Sequence, residues 1–124
     1  MLFRSSYGTG GPGKTEIVVF DCKKRTIVRT IKNAYSPAEG DTYIIYTKMD
    51  WTTYTTNFYK AGLSGKEPTV ILSLAQNQSA DKWTAEEIYY TTYSSGAPAY
   101  HVFRIGENVK EKLSENDYYK AIFS

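Results

Sequence analysis

DTYIIYTKMDWTTYTTNFYKA, residues Asp41 to Ala61, has no glycine or proline and is dense in threonine and aromatic side chains. Such residues suit a pleated, half-buried surface, so the stretch reads as two consecutive antiparallel strands meeting near Met49-Asp50. Alternation sets Tyr43, Ile45, Thr47 and Met49 on one face of the first strand, with Thr42, Ile44, Tyr46 and Lys48 on the other. In the second, Trp51, Thr53, Thr55, Asn57 and Tyr59 oppose Thr52, Tyr54, Thr56 and Phe58. Neither face is cleanly apolar. The expected result is a sheet with a core on one side and a semi-polar surface on the other.

Toward the N-terminus, Glu16 to Asp21 (EIVVFD) and Thr26 to Lys32 (TIVRTIK) are β-branched runs around a four-residue break, which predicts a hairpin. This pair resembles one strand pair of a β-propeller blade; a propeller needs several repeats, and the resemblance implies no function. Leu2 to Tyr7 fits either a short first strand or a loose terminus, and Asn33 to Gly40 reads as a loop from its Pro and Gly.

Toward the C-terminus, Thr69 to Ala75 is expected to be the most buried strand, because Val70, Ile71 and Leu72 are consecutive. Gln76 to Lys82 reads as a polar loop. Thr84 and Glu87 have the spacing of a capping box, Trp83 and Ile88 that of a hydrophobic staple, and Gly96 with Pro98 that of a helix stop. Together they predict a helix near 84–95, against the strand-like composition of IYYTTY at 88–93. Ala99 to Ile105 is a predicted strand. A second helix is expected near 108–123, with Asn108 and Glu111 as its cap and a break at 114–117. The expected fold is α+β, one domain over 1–124: a single curved antiparallel sheet of five to seven strands with two helices.

At 124 residues the chain is long enough for one hydrophobic core. Its net charge of +2 and longest basic run, Lys23-Lys24-Arg25, supply no phosphate-tracking surface, so nucleic acid is not required. One cysteine and one histidine exclude an internal disulfide framework and a multi-cysteine zinc site. Asp21, Glu39, Asp41, Asp50 and Glu107 lack calcium-loop spacing, and no cofactor is implied. No apolar run approaches the ~18 residues of a membrane span, and MLFRSSYGTGG has too short an apolar core for a secretory signal. A cytoplasmic location is the expectation.

Two motifs invite chemistry. Gly8 to Thr15, GTGGPGKT, matches the phosphate-loop pattern, which works only when a helix begins at its Lys-Thr. Strand-forming EIVVFD follows instead, so a glycine turn is expected; the alternative is an anion nest of Gly11, Gly13 and Lys14 in a nucleotide-binding protein. His101 is the one imidazole. A small metal-independent ribonuclease would need it to converge with a glutamate and an arginine, yet strand parity separates His101 from Arg104. Cys22 has no sequence-visible partner for nucleophilic chemistry.

The distinctive number is 12 tyrosines, more than one small core needs. Tyrosine and tryptophan give rigid contact area at low entropic cost. The expected function is therefore non-catalytic recognition of a protein partner or small polar ligand through Trp51, Tyr54, Tyr59, Tyr90, Tyr93, Tyr100 and Arg104. An inhibitor or sequestering protein of a phage or mobile element would suit such a chain, and a homodimer through an exposed sheet edge is a further expectation.

Overall fold

The structure is a computed structural model that describes residues 2–7, 15–21, 24–40, 42–62 and 67–124. Among these, β1 (Leu2–Tyr7), β2 (Thr15–Asp21) and β3 (Thr26–Lys32) form a first antiparallel sheet. A middle sheet follows, of β4 (Tyr35–Glu39), β5 (Tyr43–Asp50), β6 (Thr55–Gly62) and β7 (Thr69–Leu74). The last sheet is β8 (Gln78–Trp83), β9 (Glu87–Thr92), β10 (Ala99–Arg104) and β11 (Val109–Leu113), and the chain ends in the helix α1 (Glu115–Ile122). Every strand pairs with its neighbour in sequence, so each sheet is a meander. Three small sheets replace the single curved one expected.

Sequence alternation becomes a stack of sheets. On β5, Ile44 and Tyr46 point to one side and pack with Ala61 against Ile17, Val19, Ile31 and Ala34. Ile45 points to the other side, where Phe58, Leu72 and Leu74 meet Ile88, Tyr90 and Phe103 of the last sheet and Ile105 of the turn after β10. The middle sheet is thus buried on both faces, which explains why neither face of Asp41–Ala61 looked like the sole core. Its polar residues are satisfied within the stack: the buried Thr47 hydroxyl donates to the Tyr35 carbonyl at 2.9 Å. Burying each large apolar side chain here contributes roughly 1.5–3 kcal/mol. Polar ties cross between sheets as well. Arg29 Nη1 donates to the Gly62 carbonyl (3.0 Å), the Tyr43 hydroxyl to the Ala85 carbonyl (2.7 Å), and Trp83 Nε1 to the Ser36 carbonyl (3.2 Å).

The predicted helix at 84–95 is instead a hairpin turn and β9. The Thr84 hydroxyl does accept from the Glu86 and Glu87 amides, at 3.1 and 3.2 Å, so the capping chemistry is present. However, the Thr84 N–H donates to the Glu87 carbonyl at 2.8 Å, which turns the chain back on itself. Trp83 and Ile88, at staple spacing, are a cross-strand pair. Cap signals and a tight Ser/Thr turn share the same local bonds, and tertiary pairing with β8 and β10 decides between them.

The helix expected at 108–123 begins only at Glu115. Val109–Leu113 is edge strand β11, paired with β10. Ser114 is the true N-cap, its hydroxyl accepting from the Asp117 amide at 3.2 Å, with Glu115 and Asp117 in the first turn favouring the dipole. The two expected loops at 33–40 and 76–82 contain strands β4 and β8. The Thr69–Ala75 run is an edge strand rather than the most buried one: Val70 is 51% exposed, while Leu72 and Leu74 face inward. Trp51 lies in the turn between β5 and β6, not in a strand. The hairpin of β2 and β3 forms as expected, with a register shift between Val19 and Phe20, and Leu2–Tyr7 is a strand.

Candidate functional site

The last sheet has one face in the core and the other turned outward. Thr91 of β9 and Tyr100 of β10 are on that outward face, and α1 covers only part of it. Tyr118 is the helix's anchor. It is fully buried, meets Tyr89 edge-on (ring centroids 6.0 Å) and Tyr100 at a tilt (4.9 Å), and its hydroxyl donates to Asp81 Oδ2 at 2.6 Å. The buried Thr91 hydroxyl donates to the same oxygen at 2.8 Å. Lys82 fixes the far end of the helix, donating to the carbonyls of Ala121 and Ser124, both at 3.3 Å. A cation on those carbonyls also offsets the negative end of the helix dipole.

Between helix and sheet is a cleft of about 480 Å³, lined by Asp81, Thr91, Tyr93, Pro98, Tyr100, Tyr118, Tyr119, Ile122 and Phe123. Tyr100 and Tyr119 bring their hydroxyls within 3.4 Å, and Tyr119 stacks on Phe123 at 6.0 Å. The hydrogen bond with Tyr119, then burial, pushes the Tyr100 phenol up to about 12. Burial, then the bond to Asp81, raises that of Tyr118. Both phenols are therefore neutral at physiological pH. A seam that only docked the helix would bury its rings; here Tyr93, Tyr119 and Phe123 remain 54%, 41% and 80% exposed. Beyond the cleft the same face carries an ion-pair ladder, with Arg104 bonded to Glu87 and Glu111.

Of the residues chosen from sequence, Tyr93 and Tyr100 share this cleft. Tyr90 points the opposite way, buried in the core and stacked on His101 at 4.9 Å. Tyr59 stacks on Tyr46 at 5.4 Å, under the Lys48 ammonium at 5.7 Å. Trp51 and Tyr54 are exposed at the β5–β6 turn, and Arg104 is held by its two glutamates. Burial lowers the His101 pKa, as do Lys112 and Lys110, and the ring is on the opposite face of β10 from Arg104. Gly11, Gly13 and Lys14 lie outside the described residues, as does Cys22. Among the described residues no three His, Cys, Asp or Glu side chains gather as a metal site.

Sequence reasoning missed Tyr118, Tyr119, Phe123, Asp81 and Thr91. Tyr119 and Phe123 were findable, because residues four apart share a helix face. Asp81 was not, since its strand was read as a loop. The chain matches no protein-family model and no curated protein, so its site is known by geometry alone.

Proposed function

We propose that the chain is a non-catalytic recognition module that binds a small polar ligand, or a side chain projecting from a partner protein, in the tyrosine cleft beneath α1. The observation that carries this is the set of exposed rings around a preformed cavity: Tyr93, Tyr119 and Phe123 stand open while Tyr118 holds the helix in place. Pockets of a few hundred cubic ångströms with aromatic walls and a few convergent polar groups are the usual form of a small-molecule site. The ribonuclease alternative has less support, because His101 and Arg104 are on opposite faces and Arg104 is engaged by Glu87 and Glu111.

The test is a fragment screen read by protein-observed NMR. Hits are expected to shift the amides of residues 91–100 and 117–123, and Tyr93→Ala and Tyr119→Ala should each weaken them. Hits that map only elsewhere on the molecule would remove the cleft as the binding site.

A further inference from the structure

Resting on that cleft, we infer that its ligand is an organic cation, a choline-like alkylammonium group on a small molecule. Two observations point the same way. Asp81 is the one charged side chain among the residues lining the cavity. Its two hydrogen bonds among the described residues, from Tyr118 and Thr91, both fall on Oδ2, which among those residues leaves Oδ1 of this exposed residue for a ligand. The walls are aromatic. Tyr93, Tyr100, Tyr119 and Phe123 line the cavity, three of them exposed and Tyr119 stacked on Phe123, and the faces of such rings carry negative potential. A cation within about 6 Å of a ring centroid is attracted by that quadrupole, and more strongly where water is excluded. The Tyr100 and Tyr118 phenols, with pKa values raised, stay neutral and add no charge beside Asp81. The ammonium of Lys82 does not compete for the carboxylate, because it is placed on the helix-end carbonyls of Ala121 and Ser124.

A carboxylate beside several aromatic faces selects charge and shape together. A quaternary ammonium loses little hydration on entry and fills the ring surface with methyl groups; a carboxylate or phosphate ligand would meet Asp81 with like charge.

The experiment titrates the intact protein with choline chloride and, separately, with 3,3-dimethylbutan-1-ol, which has the same shape and no charge. Amide and aromatic NMR shifts report binding. Choline is expected to shift Tyr93, Tyr118, Tyr119 and Phe123, and the neutral isostere to bind about tenfold more weakly. Asp81→Asn should reduce choline affinity without altering that of the alcohol. Because Asp81 also receives the Tyr118 hydroxyl, Tyr93→Leu is the second variant: it keeps the carboxylate and the helix contacts and should weaken choline alone. Equal affinity for choline and the alcohol would overturn the cation assignment while leaving the cleft as the site. Absence of choline binding, with fragment hits still mapping to the cleft, would do the same. Fragments that avoid the cleft altogether would defeat the underlying site.

Discussion

The middle and last sheets are four-stranded meanders built from similar tyrosine- and threonine-rich strands, yet they use those residues in opposite ways. In the middle sheet, Tyr46 is 1% exposed and stacked flat on Tyr59, and Thr47 is tied to a backbone carbonyl. In the last sheet, Tyr100 lines an open cleft, and Tyr93, just beyond β9, stands 54% exposed in it. What differs is the cover. A whole sheet packs on each face of the middle one, whereas the outer face of the last is covered in part by an eight-residue helix. Whether an aromatic side chain is structural or available for binding depends on the element above it more than on its own strand.

If that comparison holds, truncating a ring between sheets costs far more than trimming one under the helix. Phe58 is fully buried where the middle and last sheets meet, with Trp83 edge-on to its ring at 5.4 Å. Phe58→Ala should destabilise the protein by about 3–5 kcal/mol, from lost transfer energy and the cavity left behind. Urea unfolding would measure it. A loss under about 1 kcal/mol would mean that the two sheets are not one cooperative core.

The helix-side counterpart is Tyr118→Phe, which keeps the ring and removes the hydroxyl that donates to Asp81 at 2.6 Å. Hydrogen bonds to charged acceptors contribute more than neutral ones, but Asp81 is exposed, so a loss of about 1–2 kcal/mol is expected. The pH dependence carries a sign. Burial raises the Tyr118 pKa above its ordinary 10, so the fold favours the neutral phenol. Its contribution is complete below pH 10 and is lost as pH climbs through the raised value. Stability curves of wild type and Tyr118→Phe should therefore converge on the alkaline side, and curves that stay parallel would show that the hydroxyl is not held as described.

These cases also show how much of the fold could be read in advance. Strand parity was legible: Ile44 and Ile45 do face opposite ways, and β2 and β3 do form a hairpin. The number of sheets was not, because alternation describes one strand and says nothing of what packs on either side of it. At Thr84 the local signal was real but ambiguous, since the hydroxyl that would cap a helix equally closes a hairpin. The cleft was half legible. Tyr93 and Tyr100 were chosen for their composition, whereas Asp81 and Tyr118 meet across 37 positions of sequence, a pairing that no local pattern carries.

The smallest expected effect compares a turn in each sheet. The β5–β6 hairpin and the β10–β11 hairpin both turn through four residues, 51–54 and 105–108, and in both the last of the four adopts a left-handed backbone, φ 54°. In the last sheet that residue is Asn108, a type that tolerates this conformation; in the middle sheet it is Tyr54, a type that does not. The Tyr54 side chain is more than half exposed, so little packing offsets the strain. Tyr54→Asn should thus stabilise the protein by about 0.5 kcal/mol, and Asn108→Tyr should destabilise it by a similar amount. Paired urea midpoints, measured at unchanged m-value, would resolve both. A Tyr54→Asn variant that loses stability would mean that the exposed ring makes a contact worth more than the strain, and would move the β5–β6 turn from scaffold to working surface.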